Sequence, residues 1–115
     1  MAQDCLFCKI AAKQIPSQVV YEDEQIVAFR DIQPQAPVHV VIIPRRHIAS
    51  LEAAEDTDVE LLGRIAYTAK IVAEQLGIAT TGYRVVNNCG THGQQTIQHI
   101  HFHLLGGRQL SWPPG

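Results

Sequence analysis

The sequence predicts an α+β domain with a five-stranded antiparallel sheet, one long helix and a short N-terminal helix. Three observations carry this. Four short runs rich in β-branched and aromatic residues are bounded by turn residues. A single stretch, from Asp58 to Leu76, repeats its apolar positions at helical spacing. A fifth run, His99-Ile100-His101-Phe102-His103-Leu104-Leu105, alternates strictly between imidazole and apolar side chains.

Cys5 to Lys13 opens the fold as a short helix that ends before Ile15-Pro16, because a proline holds the residue before it in extended geometry. Phe7 and Ile10 then share a face. Val19–Glu22 and Gln25–Arg30 are strands joined by the polar turn Asp23-Glu24, a hairpin. The loop Gln33–Pro37 stays out of a central sheet because neither proline has an amide donor. Val38–Ile43 is a third strand, stopped by Pro44. Leu62, Ile65, Ala66, Ala69, Val72, Ala73 and Leu76 define the long helix, with Thr57 and Glu60 as a capping box and Gly77 in the left-handed position past its last turn. Gly82–Asn88 is the fourth strand, and Cys89–Gln95 a polar loop leading into the histidine strand.

A chain of 115 residues fits one domain over residues 1–115, large enough for a core and small enough to gain from dimerisation. Hydrophobic content of 46% and charged content of 17% describe a globular chain and exclude a disordered one. A formal charge of −2 gives no electrostatic case for nucleic acid or an anionic membrane as partner. The longest apolar run, Val38 to Pro44, is interrupted by His39 and falls far short of the roughly 20 residues that span a bilayer. Met1-Ala2-Gln3-Asp4 has no basic region followed by an apolar core, so a cytoplasmic location with reduced thiols is expected.

On a strand, His99, His101 and His103 would form one row, with Ile100, Phe102 and Leu104 turned into a core. Neighbours in that row would sit about 6.5 to 7 Å apart, close enough for two of them to touch one small anion such as phosphate. Neutral imidazole is a nucleophile and a metal ligand, and its cation is a donor, so the row can fill several roles near neutral pH. A solvated histidine-rich face and a metal site are the alternatives. Half of the chain's six histidines within five residues favours a site.

This pattern resembles the signature of the histidine triad (HIT) superfamily of nucleotide hydrolases and transferases. The C-terminal run from Gly106-Gly107-Arg108 to Trp112-Pro113-Pro114-Gly115 resembles the Hint branch. So do Asp31-Ile32-Gln33-Pro34-Gln35-Ala36-Pro37, Pro44-Arg45-Arg46-His47-Ile48 and Gly82-Tyr83-Arg84-Val85-Val86. The resemblance implies a HIT-like fold, paired through the long helix and fourth strand into a homodimer with a continuous sheet. It implies a purine nucleotide phosphoramidase that hydrolyses the P–N bond of adenosine or guanosine 5′-monophosphoramidates, and aminoacyl adenylates, with no cofactor for catalysis. Dinucleoside polyphosphate hydrolysis, as in the Fhit branch, is the runner-up, weakened by the Trp112-Pro113-Pro114-Gly115 ending. A non-catalytic nucleotide-binding module is the third reading, and the intact row of histidines argues against it.

Carried over residue by residue, the resemblance makes His101 the nucleophile at the α-phosphorus, its second ring nitrogen held by a carbonyl such as that of His99. His103 then hydrogen-bonds the phosphoryl oxygens or the leaving group. Asn88, Thr96 and the backbone of Ile97 would meet the phosphate, and Asp31 the ribose hydroxyls. Phe7, Ile10, Phe29 and Ile32 would form the purine slot. Without the resemblance, Asn88 and Thr96 read as turn residues, Asp31 as a turn cap, and the four apolar residues as core. Gln94 stands where Hint relatives commonly carry glycine, and Trp112 would reach the partner's site.

The spacing Cys5-x-x-Cys8 suggests metal binding or redox work more than a structural disulfide. The resemblance implies zinc on Cys5, Cys8, His47 and His99, structural because animal Hint proteins lack the cysteines. If the thiols are unliganded, His47 and His99 become hydrogen-bonding residues. Cys89, His39 and His92 have no evident role, and Arg45 and Arg46 read as a solvated pair.

Overall fold

The computed structural model describes residues 4–115; Met1 to Gln3, on which the expected lack of a leader partly rests, lie outside the described residues. Helix α1 (Leu6–Ala11) begins where the Cys5 Sγ accepts the Cys8 backbone N–H at 3.3 Å. Strands β1 (Val19–Glu22) and β2 (Ile26–Arg30) form the expected hairpin, and β3 (Val38–Pro44) follows the proline-containing loop. Asp23 closes the hairpin turn, its Oδ1 accepting the amides of Gln25 and Ile26 at 2.8 Å each. Helix α2 (Val59–Gln75) leads to β4 (Tyr83–Asn87), and β5 (Phe102–Gly106) completes the sheet.

The strand order is β1-β2-β3-β5-β4, and every neighbouring pair is antiparallel. β3 and β4 are therefore both antiparallel to β5 and run the same way, so the excursion through α2 is a crossover into whose gap β5 inserts. Alternation assigns the two faces. Ile26, Ala28, Val40, Ile42, Ile100 and Leu104 pack with Ile65, Ala69, Val72 and Ala73 of α2. Val27, Phe29, Val41 and Ile43 turn the other way, against Phe7, Ile10 and Ala11 of α1. β2 and β3 are thus apolar on both sides because both sides are covered. β4 is an edge strand, with Tyr83 and Val85 partly exposed and Tyr67 of α2 half exposed.

Three local expectations need correction or refinement. The cap of the long helix is not Thr57 with Glu60. A 3-10 turn, Asp56–Asp58, precedes α2, and the reciprocal cap is Glu55 with Asp58, whose Oδ2 accepts the Glu55 amide at 2.8 Å. The extra turn moves the orphan amides two residues upstream. Of the expected solvated pair, Arg46 is exposed but Arg45 is not. Arg45 donates to the Asp23 carbonyl (2.8 Å), the Ala11 carbonyl (2.9 Å) and Glu22 Oε1 (2.9 Å), tying the end of α1 to the hairpin. Arg46 pairs with the buried carboxylate of Asp58. Finally, the histidine strand is shorter than the alternating run: the paired ladder starts at Phe102, so only His103 of the three lies on β5. Gly77 does take the left-handed conformation, at φ 76°.

Candidate active site

The alternation of the histidine run persists beyond the ladder. Ile100 and Leu104 enter the core beneath α2, whereas Phe7 on the opposite side touches both His99 and His101, with ring centroids 6.0 and 5.0 Å away. The segment before β5 is held without strand pairing. The Ile100 amide donates to the Ile48 carbonyl at 2.7 Å, and Gln95 donates to the carbonyls of Ala49 (2.8 Å) and Ile97 (3.0 Å). His101 and His103 ring centroids are 5.2 Å apart, closer than an ideal strand repeat, because the rings tilt toward each other edge to face.

His101 is buried, and its Nδ1 lies 2.8 Å from the His99 carbonyl oxygen. A carbonyl only accepts, so Nδ1 carries the proton and Nε2 keeps its lone pair, the state a nucleophile needs. Burial lowers the His101 pKa, which keeps the ring neutral near pH 7. Asn87 reinforces this backbone, its Nδ2 donating to the His101 carbonyl at 3.0 Å while its buried Oδ1 has no partner. His103 is half-buried, and burial, with His101 and His39 as neighbours, brings its pKa down to about 4. Its Nδ1 lies 2.8 Å from Nε2 of His39, a buried residue on β3. Asp31 stands behind this pair, its Oδ2 3.5 Å from His39 Nε2 and its Oδ1 accepting the Gln33 amide at 2.8 Å.

The other residues singled out in the sequence fall into two groups. Phe7, Ile10 and Phe29 join one apolar cluster beneath the histidines, with Ile97 packed on its edge. Ile32 is 94% exposed on the loop after β2, so it can only be a wall open to solvent. Asn88 Nδ2 donates to the Gly93 carbonyl at 2.7 Å and closes the loop 88–93, while Thr96 is exposed. Gln94 sits at φ 61°, in the left-handed region that glycine enters without steric cost. Gln94→Gly is therefore expected to raise stability by about 0.5 to 1 kcal/mol, the relief of left-handed strain less the extra chain entropy of glycine. Urea denaturation checks this, and a loss of stability would show that the Gln94 side chain contributes more than its backbone costs.

Beside the triad, Cys5, Cys8, His47 and His99 bring four donor atoms within 4.8 Å of one another. Cys5 Sγ lies 3.3 Å and Cys8 Sγ 3.5 Å from His99 Nδ1, Cys8 Sγ 3.4 Å from His47 Nδ1, and the two Nδ1 atoms are 3.2 Å apart. Tetrahedral zinc with bonds of about 2.0 to 2.3 Å has donor-to-donor edges of about 3.3 to 3.8 Å, so the cluster has nearly the dimensions of a zinc site. Tautomers agree. His99 Nε2 donates to the Pro44 carbonyl at 2.8 Å, which leaves Nδ1 unprotonated and aimed at the cysteines. Burial, then the hydrogen bond and charge of Cys5, pushes the Cys8 thiol up to about 11, the shift a bound cation would reverse. His99, buried with His47 and His101 nearby, has its pKa down at about 4 and presents a neutral ring to a metal.

A five-stranded antiparallel sheet that carries a buried nucleophile-ready imidazole between two others defines a histidine triad domain. The chain belongs to the HIT superfamily: residues 4–111 match the family model described as "Scavenger mRNA decapping enzyme C-term binding". It is 53% identical over 112 residues to "Adenylylsulfatase HINT1" of Arabidopsis thaliana, covering 96% of this chain and 76% of that one. It is 53% identical to a "14 kDa zinc-binding protein" of Brassica juncea, covering 97% of this chain and all of the relative. A solved HIT family hydrolase from Legionella pneumophila superposes with a TM-score of 0.96 at 54% identity, covering 97% of this chain and 100% of that chain. No described helix is long and apolar enough to cross a membrane.

Proposed function

We propose that this chain, read as one HIT domain over residues 1–115, is a cytoplasmic purine nucleotide phosphoramidase that cuts the P–N bond of adenosine or guanosine 5′-monophosphoramidates and of aminoacyl adenylates the acyl–phosphate bond. The observation that carries it is the bond from His101 Nδ1 to the His99 carbonyl, 2.8 Å long, which leaves Nε2 free to attack. In the first step Nε2 forms a bond to the α-phosphorus, the P–N bond breaks, and the amine leaves with its electron pair and takes a proton from solvent. In the second, water attacks the same phosphorus and gives its proton to solvent, the P–Nε2 bond breaks with its electron pair returning to His101, and nucleoside monophosphate results. In this reading His103 supports the charge on the phosphoryl oxygens, and Asn88, Thr96 and the Ile97 backbone share it. Asp31 Oδ2 takes the ribose hydroxyls, and Phe7, Ile10, Phe29 and Ile32 face the purine.

Zinc on Cys5, Cys8, His47 and His99 is structural in this reading, and the chemistry needs no other metal. The protein is a homodimer through α2 and the outer edge of β4, supported by the exposed Tyr67, Tyr83 and Val85. The name of the Arabidopsis relative favours a second reading, in which the same attack on an adenylyl phosphorus expels sulfate in place of an amine.

Initial rates with the unaltered protein on adenosine 5′-phosphoramidate, adenylyl sulfate and a dinucleoside tetraphosphate decide among these. The phosphoramidate is expected to have the highest kcat/KM, by about tenfold or more over the tetraphosphate. A preference for adenylyl sulfate installs the second reading, and a preference for the tetraphosphate removes both.

A further inference from the structure

His39 lies outside the histidine row, on a different strand, and nothing in its own neighbourhood of sequence assigns it a task. The structure assigns His39 the role of a positioning residue that fixes which nitrogen of His103 carries the proton, through the hydrogen-bonded chain Gln35 N–H to His39 Nδ1 and His39 Nε2–H to His103 Nδ1. The two distances are 3.0 and 2.8 Å.

The direction of the chain follows from its first link. A backbone amide only donates, so His39 Nδ1 must be the acceptor and cannot hold a proton. His39 is then neutral with its proton on Nε2, and the nearest acceptor for that proton is His103 Nδ1. His103 in turn keeps its proton on Nε2, on the side of the ring away from His39. A backbone N–H on a loop has thereby set the tautomer of a side chain two residues from the nucleophile.

Asp31 Oδ2, His39 and His103 also sit within the span of a metal cluster. The same logic argues against a cation there, because His39 bound through Nε2 while accepting at Nδ1 would have to be an imidazolate. The cluster is a proton-orienting relay.

The consequence, which rests on the phosphoramidase reading, concerns what His103 does. A neutral imidazole with its proton on Nε2 is a fixed donor to a phosphoryl oxygen and a very poor acid, since releasing that proton leaves an imidazolate. The groups facing His103 are His39 from β3, His101 from the segment before β5, and Asp31 from the loop after β2. On β4 its partner is the apolar Val86, and Arg84 on the same face is bonded to the Ser111 carbonyl at 2.7 Å. Of these only Asp31 favours a charged ring, whereas burial and the neighbours His101 and His39 disfavour it, and the atom bonded to His103 Nδ1 is His39 Nε2 at 2.8 Å. His103 therefore orients and stabilises charge, and the leaving amine takes its proton from solvent.

A long-range proton–nitrogen correlation spectrum of the intact protein reads the tautomer without substrate. His103 is expected to show a protonated Nε2 and an unprotonated Nδ1, unchanged from about pH 6 to 8. A proton on Nδ1, or a cationic ring across that range, overturns the inference. In His39→Leu the Nδ1 acceptor is released, so the spectrum is expected to show a mixture of the two neutral tautomers of His103, and kcat for phosphoramidate to fall by about 10- to 100-fold with little change in KM. His39→Gln, whose amide can donate from the position of the lost Nε2, is expected to recover activity to within about fivefold, which a purely space-filling role would not predict. An unchanged His103 spectrum in folded His39→Leu also overturns it. If the unaltered protein hydrolyses no phosphoramidate, the functional reading fails while the tautomer result stands or falls by itself.

Discussion

Replacement of His101 by alanine is expected to lower kcat/KM for adenosine 5′-phosphoramidate by about 10⁴-fold or more, which corresponds to at least about 5 kcal/mol of lost transition-state stabilisation. The size follows from the mechanism. Removing a donor from a phosphate site typically costs about 10²- to 10³-fold, because other donors share the charge. Removing the nucleophile abolishes the two-step route, and water must then attack the phosphoramidate directly. The site is arranged around this one atom: the His99 carbonyl and the Asn87 amide fix the backbone and the ring of His101, and Phe7 walls its edge. Because His101 is buried, alanine leaves a cavity, so thermal unfolding of the variant has to be recorded beside its activity. The decisive readout is covalent. Acid quenching of the unaltered protein during turnover should trap a nucleotidyl group on the peptide that carries His101, and the variant should trap none. More than about 1% residual activity in a folded variant, or a label on another residue, would remove His101 as nucleophile.

How much of this was legible in the chain depends on the distance over which each feature is specified. Helix α2 and the five strands were readable because their signals are local: apolar positions at helical spacing in residues 58–76, and β-branched runs cut off by Pro44 or by Asp23-Glu24. The alternation that places Ile100 and Leu104 opposite the histidines is also local, and it survives even where the ladder does not. The cap of α2 was misplaced because Thr57 and Glu60 fit the same pattern as Glu55 and Asp58, and only the preceding 3-10 turn decides between them. Arg45 was unreadable because its partners, Ala11, Asp23 and Glu22, come from two other elements. His39 was unreadable for a stronger reason. An imidazole between apolar neighbours on a strand has no signal of its own, and its partner is 64 residues away, brought near only because β5 inserts beside β3. Asn87 escaped likewise, since its bond to His101 depends on the pairing of β4 with β5.

The second large effect is expected at the cysteines. Protein purified without chelator should carry about one zinc per chain, and Cys8→Ser should lower the thermal midpoint by about 10 °C or more while changing the kcat for phosphoramidate by less than about tenfold. The stability loss is large because the four ligands come from three separate places. Cys5 and Cys8 lie at the start of α1, His47 follows β3, and His99 precedes β5, so the metal would cross-link segments up to 94 residues apart. The activity loss is small because the group that orients His101 is the carbonyl of His99, which needs no metal, and because the His99 ring retains its 2.8 Å bond to the Pro44 carbonyl. Zinc binding should also release protons, since a Cys8 thiol held up at about 11 must ionise to become a ligand; apparent affinity is therefore expected to fall as pH is lowered. Less than about one zinc per two chains, together with a Cys8→Ser midpoint equal to that of the unaltered protein, would establish two reduced, unliganded thiols instead. If stability and kcat fell together, the cluster would be shaping the nucleophile directly rather than holding α1 and the triad segment in place.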